Sequence, residues 1–342
     1  MRYGAILMAV ATGAAFPSSA FADPVAEFYK GKTVTMAVGY SPGGDYDLRT
    51  RLISRFIGKH LPGAPTIIVR NMPGGGGIVA TNWLYNLAPR DGTAILVLPQ
   101  AMPVMQSMGL KGVKFDVREF GWLGNSSTSP NVVNSWHSTG IKTIEDARKR
   151  ELVLGSTGRG NGTYNYPASM NMFSGTKFKI VGGYRGGSNM NLAMEKGEIG
   201  GRGSNSWASW KSTKPQWLAE KKVSILVQVA LKRHPDLPDV PTMIETTSDP
   251  KGKALMRFLS LDVAISRAYV TTPGVDPVRL AALRKAFEAT MADKDFLAEA
   301  DKTKMDISPS SADEASAAAK QIVETDAATL ELARALMEPP KK

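Results

Sequence analysis

Apolar runs alternate with glycine-rich turns and helical patterns along the chain, most clearly near its start. Residues 33–40 have the β-branched, apolar composition of a buried strand, and a turn at residues 41–44 ends it. Five apolar side chains then recur at the spacing of one helix face: Leu48, Leu52, Ile53, Phe56 and Ile57. This pattern predicts a strand, a glycine turn and a helix, with Asp45 or Asp47 as the helix cap.

The same unit of strand, glycine turn and helix recurs three times further along. The predicted strands and the turns that follow them cover residues 66–71 and 72–77, 152–156 and 157–163, and 177–181 and 182–188. In the last unit we expect Ser188 to cap a helix over residues 189–195. A helix N-terminus presents free backbone N–H groups and the positive end of the helix dipole. Each turn is therefore a candidate anion-binding site.

The rest of the chain continues the alternation of strands and helices. Further strands are predicted at residues 94–98, 120–125, 132–136, 223–230 and 305–307, and within residues 263–272. Helices are predicted at residues 144–150, 277–291 and 311–336, and a loose tail at residues 339–342. This alternation favours an α/β fold with parallel strands. Ligands bind at the carboxyl ends of strands in such sheets, so two facing domains would place the four turns around one cleft.

The first residues have the features of a secretory signal. Arg2 supplies the charged start, residues 5–16 form an apolar run, and Ala20-Phe21-Ala22 fits a cleavage site. The apolar run is too short to span a bilayer. We therefore expect a periplasmic protein that is cleaved after Ala22. Since Arg2 is the charged residue of this segment, cleavage lowers the net charge from +11 to +10.

Charge and composition narrow the classes of ligand. A cationic exported protein suggests an anionic ligand, an anionic membrane surface, or neither. The basic residues are spread along the chain without a nucleic-acid-binding module, so we expect no nucleic acid partner. The absence of cysteine excludes disulfides and thiolate metal sites. The three histidines (His60, His137 and His234) lack zinc-site spacing, so we expect no metal and no cofactor.

The order of the glycine motifs carries a family resemblance. The motifs are YSPGGDYD, NMPGGGG, LGSTGRGNGT and YRGGSNMNLAMEKGEIG, followed by LKRHPDLPDVPTMIE and VTTPGVDPVRLAALRKAFEATM. Together with the export signal, they resemble the periplasmic substrate-binding proteins of tripartite tricarboxylate transporters, the Bug family. The resemblance covers essentially the whole mature chain. It implies a two-domain α/β periplasmic binding protein of the Venus-flytrap kind, type II-like, with mixed, mostly parallel sheets and a cleft between the domains.

The resemblance also implies domain limits and ligand contacts. Domain I would comprise residues 23–127 and 259–342, and domain II residues 128–258. One ligand carboxylate would meet the domain I turns at Tyr40, Ser41, Gly43, Gly44, Asp47, Gly74, Gly75, Gly76 and Gly77. The other end would meet domain II at Ser156, Thr157, Asn161, Thr163, Tyr184, Arg185 and Gly186. We also expect Asn205 to lie at the cleft.

Several of these residues have a second interpretation. The glycines could serve turns that need a positive φ, and the serine and threonine residues could form turns or cap helices. Asp47 could be a helix cap, because an acid repels a carboxylate ligand unless water intervenes. Arg185 could grip a carboxylate bidentately, although a loop arginine is usually solvated. Trp207, Trp210 and Trp217 could pack in the core or form an aromatic wall for a ring-bearing acid.

Two departures from the family pattern bear on the ligand. The family often has a histidine a few residues after the domain II glycine turn, where this chain reads Asn161-Gly162-Thr163-Tyr164-Asn165-Tyr166. The family also usually has an aspartate in a GxVD pattern, where this chain has residues 197–200 followed by Gly201 and Arg202. The missing acid and the added Arg202 favour a plain carboxylate over an amino acid.

These observations predict a solute-binding protein that captures an organic carboxylate, most simply a dicarboxylate, and delivers it to the membrane permease subunits of a tripartite tricarboxylate-type transporter. We expect a monomer. The alternatives are a binder of aromatic acids such as a benzene dicarboxylate, and a ligand-sensing protein that docks on a receptor. We expect no enzyme, because the chain has neither a GxxxxGK[ST] phosphate loop nor a GxSxG nucleophile elbow.

Overall fold

The computed structural model describes residues 23–338. The expected signal segment, residues 1–22, and the expected loose tail, residues 339–342, lie outside the described residues. Within residues 23–338, ten strands form two five-stranded sheets, and the remaining chain is largely helical. The α/β fold class that the alternating pattern predicts is confirmed.

The strands in chain order are β1 (Thr33–Val38), β2 (Thr66–Asn71), β3 (Ala94–Val97), β4 (Gly121–Asn125), β5 (Asn131–Trp136), β6 (Leu152–Gly155), β7 (Phe178–Val181), β8 (Gly201–Ser206), β9 (Val223–Val229) and β10 (Ala268–Thr271). The first sheet has the order β2-β1-β3-β10-β4, in which β1 runs parallel to β2 and β3, and β10 antiparallel to β3 and β4. The second sheet has the order β7-β6-β8-β5-β9, in which β6 runs parallel to β7 and β8, and β5 antiparallel to β8 and β9. Both sheets are therefore mixed.

The helices in chain order are α1 (Pro24–Tyr29), α2 (Asp45–His60), α3 (Ile78–Asn86), α4 (Met102–Ser107), α5 (Ile144–Lys149), α6 (Gly162–Phe173), α7 (Gly187–Glu195), α8 (Trp207–Thr213), α9 (Pro215–Ala219), α10 (Pro250–Ser260), α11 (Pro277–Met291), α12 (Lys294–Lys302), α13 (Ala312–Val323) and α14 (Ala327–Ala335). Four short 3₁₀ turns complete the described secondary structure, at Gly75–Gly77, His137–Thr139, Met243–Thr246 and Leu261–Ile265.

The chain passes between the sheets twice, and the two crossing segments lie side by side. The first crossing joins β4 to β5, and the second brings the chain back from β9 to β10. Backbone N–H of Ser126 donates to the carbonyl of Arg267, and the Ser266 hydroxyl donates to the carbonyl of Ser127 at 2.7 Å. These two hydrogen bonds hold the two crossing segments together where the chain passes between the sheets.

Burial explains why the apolar patterns predict most strands correctly. Every residue of β3 is buried, as are four of the six residues of β1, and α2 covers this sheet with Leu52, Ile53, Phe56 and Ile57. Leu48, expected on the same helix face, is 41% exposed instead. The predicted helix over residues 277–291 matches α11 (Pro277–Met291).

Four local expectations differ from the structure. Residues 305–307 form no strand. The helix expected over residues 311–336 divides into α13 and α14, because Asp326 caps a new helix through the N–H of Thr329. Ser188 does not cap α7, which begins after Gly186. Strand β8 was not predicted from sequence, because GRGSNS lacks an apolar pattern although all six residues are buried.

Candidate functional site

A cavity lies between the two sheets and contains about 740 Å³ of unfilled space, part of it open to solvent. One wall consists of the loop after β1, the start of α2 and Gln100, while β8 and the starts of α6 and α7 form the other. Amide and hydroxyl side chains dominate the lining. Its charged residues are Asp45, Arg202 and Arg267.

The start of α2 supplies backbone donors to the first wall. Gly43 adopts φ +80°, a left-handed conformation that side-chain-bearing residues disfavour, and this lets the chain turn from β1 into α2. Gly44 is the N-cap and provides no side-chain hydrogen bond to the helix. The first-turn N–H groups of a 16-residue helix therefore lie beside the cavity, together with the positive end of its dipole.

Behind that turn, Asp45 forms a buried ion pair. One carboxylate oxygen accepts a hydrogen bond from Nε of Arg267, and the other lies 3.6 Å from Nη2 of Arg49. Burial alone would raise the pKa of Asp45, but the two guanidinium groups hold the pKa below its usual value. Burial alone would lower the pKa of Arg267, but Asp45 more than offsets this and raises the pKa above its usual value. Both groups are therefore charged at neutral pH.

Arg202 enters the cavity from β8, in the opposite wall. It is 6% exposed, and Nη1 donates to Oδ1 of Asn191 at 3.0 Å. Among residues 23–338, no carboxylate lies within 4 Å of its guanidinium, and Nε is buried without a hydrogen-bond partner. Burial, and then the charge of Arg267, lower the pKa of Arg202 to about 9. The group is protonated at neutral pH and lacks a counter-ion in the described chain.

A buried hydrogen-bond network lies where the crossing segments meet the cavity. The hydroxyl of Tyr166 donates to Asp262 at 2.8 Å, and amide groups of Gln100 and Asn131 donate to that hydroxyl at 3.4 and 3.3 Å. Asp262 is 2% exposed, and burial raises its pKa to about 7, with the Tyr166 and Gln100 hydrogen bonds opposing this rise. The charge of this carboxyl therefore changes near neutral pH.

Hydrogen bonds also cross the mouth of the cavity. Nδ2 of Asn161 donates to the carbonyl of Gly76 at 3.2 Å and to the hydroxyl of Tyr40 at 3.3 Å. The N–H of Ser41 donates to the carbonyl of Arg185, and the Ser188 hydroxyl donates to the carbonyl of Pro42 at 2.9 Å. The two walls therefore contact each other directly, and the structure is a closed arrangement of the cleft.

Eight of the residues predicted from sequence line the cavity: Tyr40, Ser41, Gly43, Gly44, Thr157, Asn161, Thr163 and Asn205. Gly76 lies behind this lining, where its carbonyl accepts the hydrogen bond from Asn161. Ser156 is buried and shares hydrogen bonds with Thr163 and Gly158. Both contribute to the shape of the walls without lining the cavity.

The other predicted residues do not line the cavity: Asp47, Gly74, Gly75, Gly77, Tyr184, Arg185 and Gly186. Asp47 accepts hydrogen bonds from the N–H of Gly43 and the amide of Asn71, and pairs with Arg51. Asp47 therefore holds the glycine turn. The expectation that Asp45 or Asp47 caps the helix is wrong, because Gly44 occupies the N-cap position and, within residues 23–338, no side chain caps α2. The side chain of Arg185 is exposed, which fits the solvated loop arginine.

Sequence reasoning missed most of the charged core of the site. Arg202 was noted beside the missing acid of the family pattern, but Arg267 and Asp45 were not considered as lining residues. Asp45 follows the glycine turn directly, and the only role inferred for it was a helix cap. Arg267 carries no local signal, because it follows the second crossing and reaches the cavity through the long-range pairing of β10.

The tryptophans lie in the core and not at the cavity surface. Trp210 and Trp217 are buried, with ring centroids 5.9 Å apart, and Trp136 packs 4.5 Å from Trp217. Trp207 is partly buried and donates a hydrogen bond to Asp236. None of these indoles belongs to the cavity lining in the described structure. The core interpretation therefore fits, and the residues do not form an aromatic wall.

Residues 23–338 contain neither a candidate membrane-spanning helix nor a candidate metal site. In that range, no helix is long and apolar enough to cross a bilayer. The same range contains no group of three or more His, Cys, Asp or Glu side chains placed to hold a metal ion.

The chain matches a protein-family model described as the tripartite tricarboxylate transporter family receptor, over residues 51–332. A protein of Pseudomonas sp. (strain P51), described as a UPF0065 protein in the tcbD-tcbE intergenic region, is 27% identical over 232 residues. These residues are 66% of this chain and 67% of the relative. Both matches extend across the two sheets.

Two solved structures have the same fold. The periplasmic binding protein BugD superposes with a TM-score of 0.72 at 19% identity, covering 90% of this chain and 99% of BugD. MatC (Rpa3494) from Rhodopseudomonas palustris, solved with bound malate, superposes with a TM-score of 0.68 at 19% identity, with the same coverage of 90% and 99%. At these identities the likeness shows the fold.

Proposed function

The chain belongs to the tripartite tricarboxylate transporter receptor family, and from that premise we propose that it captures a dicarboxylate in the cavity between its two sheets and delivers it to a membrane transporter. Proteins of this family are periplasmic solute-binding proteins and not enzymes. The proposal concerns the class of ligand and the delivery step, which go beyond family membership.

The observation that carries the proposal is the balance of buried charge at the cavity. Three guanidinium groups, those of Arg49, Arg202 and Arg267, are buried within or directly behind its walls. The carboxylate of Asp45 neutralises one of these three charges, and Asp262, whose charge changes near neutral pH, offsets at most one more. Buried charges are costly unless they are paired, so the remaining positive charge favours an anionic ligand that supplies the missing partner. An acid with two carboxylates supplies two negative charges.

The donors of the first wall suit a carboxylate. Free N–H groups at a helix N-terminus bind anions, and their interaction strengthens when closure of the walls excludes water. We propose that the N–H of Gly44 and the first-turn N–H groups of α2 receive one carboxylate of the ligand. Ser41 and Gly43 shape this turn, because their N–H groups already bond the carbonyl of Arg185 and the carboxylate of Asp47. Tyr40, Thr157, Asn161, Thr163 and Asn205 would complete the contacts. The malate described in MatC, a protein of the same fold, supports an acid of this class.

Capture would require the two sheets to move relative to each other. We propose residues 23–127 with 259–342 as one domain, and residues 128–258 as the other. The adjacent crossing segments, tied by Ser126–Arg267 and Ser127–Ser266 hydrogen bonds, would be the hinge. We propose that the protein is a monomer that is exported and cleaved after Ala22. N-terminal sequencing of the exported form tests the cleavage.

A thermal-shift screen of the purified protein tests the ligand class. The panel contains monocarboxylates, dicarboxylates, tricarboxylates and aromatic acids, with amino acids and nucleotides as comparisons. A ligand at one hundred times its Kd adds about 2.7 kcal/mol to the free energy of unfolding, which raises Tm measurably. We expect the largest shift with dicarboxylates. A shift with nucleotides alone, or with no acid, contradicts the proposal.

Delivery needs a separate measurement in cells. Uptake of the radiolabelled acid that gives the largest thermal shift is compared between a strain that lacks the protein and the same strain complemented with it. We expect uptake to depend on the protein. Uptake that persists without the protein contradicts delivery, and would point instead to the sensing role if a response to the acid is lost.

A further inference from the structure

We propose that Arg202 determines the specificity of the cavity by holding the second carboxylate of the ligand. This inference rests on the proposed function, because it assigns one residue to the recognition of the diacid.

The guanidinium of Arg202 is held in place and has one edge unused. Asn191 accepts a hydrogen bond from Nη1 at 3.0 Å, and the guanidinium lies 5.3 Å from the ring centre of Trp210. Within residues 23–338, neither Nε nor Nη2 donates to any acceptor. The N–H groups of Nε and Nη2 point the same way along one edge of a guanidinium. That edge matches the two oxygens of a carboxylate.

Two donors of β8 that line the cavity lack a partner among residues 23–338. Nε of Arg202 and Nδ2 of Asn205 are both buried without a hydrogen bond. Buried polar groups are normally hydrogen-bonded. An ionised carboxylate only accepts hydrogen bonds. The two unsatisfied donors of the lining therefore suit a carboxylate, whose oxygens only accept.

Gly187 has no side chain and therefore leaves space for the guanidinium of Arg202. A Cβ atom at this position would lie 2.9 Å from Nη2 and 3.2 Å from Nη1 of Arg202. Any larger residue would therefore displace the guanidinium from its present position. The first residue of α7 thus allows Arg202 to remain against Asn191 with its Nε–Nη2 edge free.

The same arrangement excludes an ammonium group. Asp45 is the carboxylate of the described cavity lining; one of its oxygens accepts from Arg267, and the other is buried and faces Arg49. The ammonium of an amino acid would therefore find no free carboxylate and would approach the charge of Arg202. The site should select diacids over amino acids of the same length.

Isothermal titration calorimetry with matched ligands tests the assignment. The probes are succinate, malate and adipate, the monomethyl esters of succinate and adipate, and aspartate. We expect the wild-type protein to bind a diacid at least about 100-fold more tightly than its monoester, since truncating one partner of a buried charge pair has effects of this size. Aspartate should bind more weakly than succinate.

The variants separate specificity from folding. In Arg202→Met we expect diacid affinity to fall about 100-fold while monoester affinity changes less than about threefold, so that the ratio collapses. Arg202→Lys keeps the positive charge but loses the two parallel N–H donors of the guanidinium. Its diacid-to-monoester affinity ratio should lie between those of the wild-type protein and Arg202→Met. Arg150→Met is the control. Arg150 is exposed, lies in the chain between β5 and β6, and donates hydrogen bonds to the carbonyls of Thr139 and Gly140. Its loss should leave the affinities for the diacid and for the monoester unchanged.

The failures are distinguishable. If the wild-type protein binds diacids and Arg202→Met keeps the diacid-to-monoester ratio, the assignment of Arg202 is overturned and the proposed function stands. If the wild-type protein binds none of these acids, the proposed function itself is overturned, and the assignment with it. Thermal unfolding of each variant confirms that an altered ratio does not arise from a lost fold.

Discussion

Arg267 and Arg202 reach the same cavity from opposite walls, and their surroundings differ in one decisive respect. Arg267 is 4% exposed and Arg202 6% exposed, so burial is equal. Arg267 bonds the carboxylate of Asp45 and lies 4.1 Å above the ring of Tyr46. Arg202 has the amide of Asn191 and the ring of Trp210 as its neighbours. The pKa shifts are opposite although burial is equal, chiefly because Asp45 raises the pKa of Arg267, while the charge of Arg267 adds to the lowering of the pKa of Arg202 by burial.

The difference separates a structural charge from one that awaits a partner. A buried ion pair whose hydrogen bonds are made holds its surroundings in one arrangement, and breaking it leaves an unpaired charge. A buried cation without a counter-ion lowers the stability of the empty protein. Such a cost is common where a protein keeps a group for ligand binding. Arg267 therefore joins α2 to the second crossing, while the unpaired charge of Arg202 is the one that we propose to be kept for the ligand.

The largest expected effect comes from removing the carboxylate on which the comparison rests. Asp45→Asn leaves Arg49 and Arg267 without their counter-ion, and we expect the free energy of unfolding to fall by about 3–5 kcal/mol. Urea denaturation without ligand measures it. The control, Asp301→Asn on the exposed side of α12, should change stability by less than about 0.5 kcal/mol. Equal effects of the two substitutions would contradict a structural role for the Asp45 pair.

The direct test exchanges each arginine for an apolar residue of similar length. Arg267→Met should lower the free energy of unfolding by about 2–3 kcal/mol, because Asp45 loses its closest charged donor. Arg202→Met should change it by less than about 1 kcal/mol, or raise it, because an unpaired buried charge is removed. Both values come from denaturation of the ligand-free proteins. Equal losses of unfolding free energy in the two variants would contradict the distinction between the two arginines.

The pH dependence of binding sharpens the comparison through Asp262. Its pKa of about 7, raised by burial, means that the carboxyl is neutral below and negative above neutral pH. A negative charge near the cavity disfavours a dianion, so we expect affinity to fall several-fold as pH rises from about 6 to about 8. In Asp262→Asn the affinity should stay near its low-pH value. An unchanged pH profile in this variant would exclude Asp262 as the titrating group.

The smallest expected effect leaves both arginines intact and weakens the contact between the walls at Ser188, a residue at the edge of the cavity lining. Ser188→Ala removes the hydroxyl that donates to the carbonyl of Pro42. We expect ligand dissociation to accelerate about two- to tenfold, because one net hydrogen bond is worth about 0.5–1.5 kcal/mol. Stopped-flow measurement gives the rate. The control is Ser212→Ala, whose hydroxyl bonds a carbonyl within its own helix and should not matter.

Local sequence predicted those parts of the fold that follow apolar periodicity. The strands β1, β3 and β9 are apolar because both of their faces are covered, and their bounds were close to those observed. Strand β8 is equally buried but consists of Gly, Arg, Ser and Asn. Its burial comes from its central place beside β5 and β6 and from the cavity it faces, and no pattern of hydrophobic positions reports either.

The candidate site divides in the same way. The glycine turn before α2 was found because a strand, a glycine pair and a helix occur together in sequence. The pairing of Asp45 with Arg267 joins residues far apart in the chain, so the sequence around either residue does not indicate its partner. Arg185 attracted attention as a glycine-flanked arginine, yet its side chain is exposed, while Arg202 was recognised only as a departure from a family pattern.

The strand order sets a sequence of events during synthesis. Strand β10 lies between β3 and β4, although the whole second sheet intervenes in the chain. Until β10 has left the ribosome, β4 has no strand beside it, whereas the five strands of the second sheet are contiguous in sequence. Long-range strand pairing is slow, and domains tend to fold as their residues become available. The wall that carries Arg202 can therefore form before the wall that carries Arg267, and the N-terminal sheet is completed last.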